Sequence, residues 1–296
     1  MSRENNRVPI STKIKNNLNA ILNLVGLEIS TTRLRVAREK FLRELEIRDH
    51  WDTLKYTAGY LFEDDKYLTF VDQLASKYSH EYNQFYQESS DKLLPSDYFL
   101  RNGYFEAVDA HIAYAMVRDY QPNCVIEVGS GHSTKVLKLA IKTNNKPCRL
   151  LSIDPQPRTS IVEVVDENVP SEVELLDPNY ITSRLGSRDI LFIDSSHSVT
   201  MAGDVVFLFL QVLPHLKSGT LIHIHDIFLP YEYPKRFIPY MWNEQYLVHA
   251  FLYSNTDFEI LWPSYYMWKT HESRLTKLFA HAETSQPPSS LWLRKL

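Results

Sequence analysis

A chain of 296 residues, 44% hydrophobic and 23% charged, has the make-up of a soluble globular protein and room for one α/β core plus an extension. Its formal net charge of −4 comes with no block of Lys or Arg, which argues against nucleic acid or an anionic membrane as the main partner. The two cysteines, Cys124 and Cys148, both lie near apolar residues and point to a reducing compartment rather than a disulfide framework.

The N-terminus is polar and lacks the apolar core of a secretory signal. The early apolar stretch 18–29, broken by Asn23, Gly26 and Glu28, is too short to span a bilayer, so a cytoplasmic location is expected. From about 14 to 87 the pattern is helical and charged. Arg33, Arg35, Arg38, Lys40 and Arg43 alternate with Leu34, Val36, Phe41 and Leu45 as on an amphipathic helix. A second run over 67–86 places Leu68, Val71, Leu74, Tyr78 and Tyr82 at spacings of three and four. Residues 1–94 therefore read as a helical extension that lids the core, forms a subunit contact in a homo-oligomer, or is a plain solvated cap.

From about 95 to 230 strands and helices alternate. Apolar strands are predicted at 124–127, 149–154, 173–176, 189–194 and 220–226, with helices following the first through Ile141 and the fourth over 201–216. Such short apolar runs between helices imply a parallel sheet covered on both faces. Beyond Pro230 the chain turns aromatic, and two further strands are predicted at 258–262 and 291–294.

The run V-I-E-V-G-S-G-H-S-T (125–134) sits at the turn from the first strand into its helix. Gly129 and Gly131 permit a tight turn and close approach to a ligand. The amides opening the helix suit a carboxylate or phosphate. Asp154, closing the second strand, is placed to accept from ribose hydroxyls. A dinucleotide would fit these features too, but the third glycine of its fingerprint is replaced by Thr134. Glu127 would repel a pyrophosphate, yet could hold an ammonium indirectly. A cofactor with a ribose and a zwitterionic tail is implied, a description that S-adenosylmethionine meets.

These segments resemble a known group. Residues 125–134 look like motif I of class I S-adenosylmethionine-dependent methyltransferases, and L-S-I-D-P (151–155) like the motif ending their second strand. D-I-L-F-I-D-S-S-H and L-I-H-I-H-D-I-F-L-P-Y-E-Y-P resemble the fourth- and fifth-strand motifs of a bacterial small-molecule methyltransferase family, and N-G-Y-F-E-A-V-D-A and the terminal S-L-W-L-R are also similar to it. The resemblance runs from about 96 to the C-terminus. It implies a Rossmann-like α/β domain over 95–296, with a seven-stranded, mostly parallel sheet whose last strand is antiparallel. It also implies S-adenosylmethionine held by Glu127, Gly129, Ser130, Gly131, Ser133, Asp154 and Asp194.

Asp194, His197, His225 and Asp226 should converge where the fourth and fifth strands end. Methyl transfer to a hydroxyl of a small molecule needs the acceptor's proton removed, and an imidazole suits that step. His197 occupies the position that resembles the catalytic lysine of catechol-type O-methyltransferases, so His197 is read as the general base, with Asp194 beside it. Asp194 and Asp226 also match two metal-ligand positions of those enzymes. The third is Ile227, which cannot ligate; His225 could stand in, favouring a transition metal over Mg²⁺, and metal dependence stays open. His223 reads as a core histidine. Asn102, Tyr104 and Asp109 either close the site or cap and pack a helix, and Tyr231, Trp242 and Tyr246 are candidates to line an acceptor pocket. The rival reading is a methyltransferase fold that has lost catalysis and serves as a scaffold.

Overall fold

A computed structural model of the protein describes residues 32–48, 50–51, 53–56, 62–279, 281–282 and 287–296. The apolar stretch 18–29 and the start of the predicted extension lie outside these residues. The chain divides into two compact units, residues 1–53 and 54–296. In the first, helix α1 spans Thr32–Ile47, where the charged amphipathic pattern placed a helix.

The second unit is a three-layer α/β/α structure. Its helices are α2 (Asp64–Tyr82), α3 (Asp109–Tyr120), α4 (His132–Thr143), the short α5 (Pro178–Thr182) and α6 (Asp204–Phe207), α7 (Glu244–Leu252) and α8 (Ser264–Leu278). Its strands are β1 (Cys124–Val128), β2 (Arg149–Ile153), β3 (Glu167–Val169), β4 (Ile190–Ile193), β5 (Leu221–Ile224), β6 (Phe258–Pro263) and β7 (Leu291–Lys295). They form one seven-stranded sheet in the order β3-β2-β1-β4-β5-β7-β6. All pairings are parallel except those of β7, which runs antiparallel to both β5 and β6. This is the Rossmann-like sheet that the resemblance implies.

Side chains along each central strand alternate between two cores. Val125, Ile190, Phe192 and Leu221 join helices α2, α3, α4 and α8 on one face. Ile126, Val128, Leu191, Ile193, Ile222 and Ile224 pack on the other with Leu208, Val212 and Val248. The period-2 alternation of a strand thus assigns every second residue to each layer. Helix α2, read from its spacing as part of the extension, inserts Tyr67, Val71 and Leu74 into the first core and belongs to the unit that begins at residue 54.

Two expectations change. The third strand is Glu167–Val169, paired with β2, and the predicted strand at 173–176 is a 3₁₀ turn, Val173–Leu175. Val173 is buried there but Leu175 is 72% exposed, so the apolar run does not line a sheet. The helix predicted at 201–216 starts as α6, passes through a π-helical stretch Leu208–Val212 and ends as a 3₁₀ turn Leu213–His215. Pro214 has no N–H to give and cannot continue an α-helical ladder. No described helix is long and apolar enough to cross a membrane.

Candidate active site

Strand β1 delivers the chain to Gly129, which sits at φ +80°. A Cβ there would lie 1.8 Å from the backbone oxygen of Asp194, so only glycine lets the turn close onto the end of β4. At Gly131 a Cβ would meet nothing within 4 Å, because this side of the turn faces open space. Ser130 donates from its amide and its hydroxyl to Oδ2 of Asp154, at 2.7 and 2.9 Å, and the Gln156 amide donates to Oδ1 at 2.7 Å. The glycine turn and the end of β2 are thereby locked together. A cleft of about 730 Å³ opens here, bounded by Gly129, Ser130, Gly131, Ser133, Asp154 and Asp194.

Glu127 lies behind this wall rather than in it. It shares the strand face of Val125, beneath α4, and is fully buried. Ser133 Oγ donates to one carboxylate oxygen at 2.6 Å and Thr134 Oγ1 to the other at 2.5 Å. Thr134 Oγ1 in turn accepts from the Gly131 amide at 3.0 Å. Burial raises the Glu127 carboxyl to about 8, the two hydroxyls opposing it only in part. Glu127 therefore organises the first turn of α4, and Thr134, which stands where a dinucleotide fingerprint would have glycine, is one of its two partners.

The four polar residues expected at the ends of β4 and β5 do converge. His197 Nε2 is 3.4 Å from Asp194 Oδ1 and 3.5 Å from Asp226 Oδ2. His225 Nδ1 is 3.5 and 3.6 Å from the same two oxygens, and its Nε2 is 3.7 Å from Asp109 Oδ2. His197 and Asp226 both hold left-handed backbone, φ 57° and 55°. His and Asp tolerate that region better than most residues, at a cost on the order of 1 kcal/mol each, and such outliers gather at functional sites.

The electrostatics follow from this packing. Burial alone would lower His197, but hydrogen bonds to Asp194 and Glu244 and the charges of Asp226 and Glu244 outweigh it and hold it at about 10. His225 is likewise lifted well above its ordinary value against desolvation, by Asp226 and Asp194. Asp194 is held well below the usual carboxylate range, the two imidazoles overcoming desolvation. Among the described residues, Asp194, His197 and Asp226 bring one ligand atom each to within 4.8 Å of one another, a set that could hold a metal ion. His197 takes the place in this set that the sequence reading gave to His225.

A second cleft of about 340 Å³ opens on this rim, lined by Asp194, His197, His225 and Asp226 together with Trp242. Tyr231 and Tyr246 lie outside its lining. Tyr231 packs in a small aromatic cluster with Phe228, Tyr233 and Tyr265, while Tyr246 donates to Glu232 at 2.6 Å. His223 is a core histidine: fully buried, its ring 3.6 Å from that of Phe192 and its Nε2 2.7 Å from Ser290 Oγ. Asn102 ties its own loop, accepting from the amides of Tyr104 and Phe105. Asp109 staples three elements, accepting from Ser264 Oγ and the Ser289 amide at 2.6 Å and from the Ser290 amide at 3.2 Å. Tyr104 borders both clefts.

Sequence reasoning missed Glu244. It opens α7, is fully buried, and accepts from His197 Nδ1 at 2.9 Å. It missed Arg158 and Arg236 as well, which reach the second cleft from separate segments. None carries a local motif; each is identified only by what it faces.

Residues 126–227 match the family described as "Methyltransferase domain". Over 73 residues the chain is 33% identical to an uncharacterized protein of Archaeoglobus fulgidus, a match covering 24% of this chain and 33% of that one. The chain thus spans about a third of the length of the curated relative it matches. Among solved structures, an O-methyltransferase from Bacillus cereus in complex with SAH is similar with a TM-score of 0.42 and 13% identity, over 84% of this chain and 99% of that one. The SAH-bound Podospora anserina methyltransferase PaMTH1 is similar with a TM-score of 0.38 and 11% identity, over 92% and 99%. The family match runs from the core of β1 to just past the end of β5, about a third of this chain.

Proposed function

We propose that this protein transfers a methyl group from S-adenosylmethionine to a hydroxyl of a small molecule, with the donor in the larger cleft and the acceptor in the smaller. The observation that carries the reading is the position of Asp194, which borders both clefts. A donor and an acceptor bound there would meet where β4 and β5 end. Transfer between two bound molecules depends on that adjacency, because alignment supplies much of the rate.

The larger cleft has the donor set this cofactor needs. Asp154 presents carboxylate oxygens to ribose hydroxyls, the amides opening α4 suit a carboxylate, and the open side of Gly131 leaves room for close approach. When bound, S-adenosylmethionine supplies an electrophilic methyl group on a sulfonium. Glu127 acts through Ser133 and Thr134, holding the first turn of α4 in place.

In the smaller cleft, His197 is the residue we assign to the acceptor's proton. Three carboxylates keep it charged at neutral pH, so it accepts a proton only once that charge is offset. Neutralising Asp194 and Asp226, as a divalent cation held between them would, makes the imidazole available as a base.

Calorimetric titration with S-adenosylmethionine and S-adenosylhomocysteine tests the cofactor. Micromolar binding that is lost in Asp154→Ala supports it, and no binding by the wild type overturns it. Turnover with a panel of hydroxyl acceptors then tests the base. His197→Ala should lose about 10²-fold or more in kcat with cofactor affinity unchanged, and intact turnover would remove His197 from the role.

A further inference from the structure

We propose that the acceptor is a planar aromatic molecule carrying an anionic group at the end away from its reacting hydroxyl. The hydroxyl rests on the methyltransferase reading above; the ring and the charge rest on the smaller cleft itself.

At about 340 Å³ that cleft is at the low end for small-molecule sites, enough for one or two rings. Part of its lining is a ladder of aromatic rings that begins at the imidazole. The Trp242 ring lies 4.4 Å from that of His197, and is stacked at 4.6 Å on Phe237 and at 5.2 Å on Tyr240, both at 26°. Tyr240 is 62% exposed, so this surface is not simply core. A further ring, Tyr104, reaches the cleft from the loop before α3 and is 57% exposed. Flat apolar faces recognise a flat apolar ligand, and these rings offer little of the dense hydrogen bonding that a sugar would need.

The charge comes from two arginines. The Arg236 guanidinium lies 4.6 Å from the Phe237 ring centroid, and that of Arg158 lies 5.3 Å from the Tyr104 centroid. Among the described residues neither pairs with a carboxylate, whereas Arg118, Arg149 and Arg294 each do. Guanidinium forks set beside aromatic faces suit a ligand that is both flat and anionic. Asp194, Asp226 and Asp109 gather around His197 and His225 in the same cleft and would repel an anion from the imidazole's side. The ligand is therefore oriented with its hydroxyl toward His197 and its anion toward the arginines.

Three probes separate these features: 4-hydroxycinnamate, the uncharged 4-hydroxycinnamyl alcohol, and cis-4-hydroxycyclohexanecarboxylate, which has charge and hydroxyl but no planar ring. Binding is measured by calorimetry on the full chain, with and without S-adenosylhomocysteine. The aromatic acid should bind at least about ten-fold tighter than either analogue. Arg158→Gln combined with Arg236→Gln should erase its advantage over the alcohol while leaving the alcohol's affinity unchanged. Trp242→Leu should weaken both aromatic probes. Equal affinity for acid and alcohol, equal affinity for the saturated acid, or no binding of any probe overturns the proposal. A protein that prefers the aromatic acid but does not bind S-adenosylhomocysteine upholds the cleft's chemistry and overturns the methyltransferase reading instead.

Discussion

Nδ1 of His197 donates to Oε2 of Glu244 across 2.9 Å, and the two residues are 3% and 0% exposed. The clamp is doubled by the backbone, because the amides of Asn243 and Glu244 both donate to the His197 carbonyl, at 3.0 and 3.2 Å. With one ring nitrogen held, the other can only face Asp194 and Asp226. A carboxylate that orients an imidazole in this way usually affects both its basicity and its ligand strength.

Glu244→Gln keeps the acceptor and removes the charge. Since Glu244 helps to hold His197 up, its neutral replacement should lower the His197 pKa and move the acid limb of the kcat–pH profile to lower pH. Glu244→Ala, which loses the orientation too, should cost about 10- to 100-fold in kcat. A limb that stays in place in Glu244→Gln would leave Glu244 a purely structural role.

Asp194 and Asp226 should stabilise the fold when they bind a divalent cation that suits carboxylates, such as Mn²⁺. At a concentration about 100 times Kd the gain is about 2.7 kcal/mol. Protonated His197 beside the two carboxylates repels the ion, so the gain should grow as pH rises and the imidazole loses its proton. Thermal melts with Mn²⁺ at two pH values, in the wild type and Asp226→Asn, check this; equal shifts in the two proteins would place the ion elsewhere.

Glu127 makes stability depend on pH in a direction opposite to the usual carboxylate. Its folded pKa of about 8 lies above the unfolded value of about 4.3, so between the two the folded chain binds the extra proton. Stability therefore falls as pH rises through that window. Glu127→Gln stays neutral and removes this dependence. Its Tm relative to wild type should rise between about pH 5 and about pH 9; a constant difference would show that Glu127 is charged in the fold throughout.

Asp109 accepts from Ser264 of α8 and from the amides of Ser289 and Ser290 just before β7, so Asp109→Ala leaves three donors without their acceptor. A loss of about 3 kcal/mol is expected, lowering Tm by roughly 6–12 °C in a unit of this size. Differential scanning calorimetry reads this directly, and an unchanged Tm would mean that water replaces the carboxylate without penalty.

Much of the site was legible because it is written in local patterns. Gly129 is required by the tight turn after β1, the alternation in β1, β4 and β5 assigns their faces, and Asp154 and Asp194 immediately follow strands while Asp226 comes two residues after one. Strand-end position in a parallel sheet is enough to bring Asp194 and Asp226 to one rim.

What the tertiary structure decided depends on pairings that no local pattern encodes. Glu167–Val169 is a strand only because β2 pairs with it; its three residues have no apolar run of their own, while the more apolar 173–176 had no strand beside it. Glu127 sits two residues before the motif glycine, as read, yet the strand's parity turns its carboxylate under α4 instead of into the cleft. Glu244 is 47 residues from His197, one glutamate among many until the docking of α7 buries it against the imidazole. The sequence by itself determined which segments become strands ending in acids and glycines. The three-dimensional packing determined which of those side chains face one another, and so which of them carry charge.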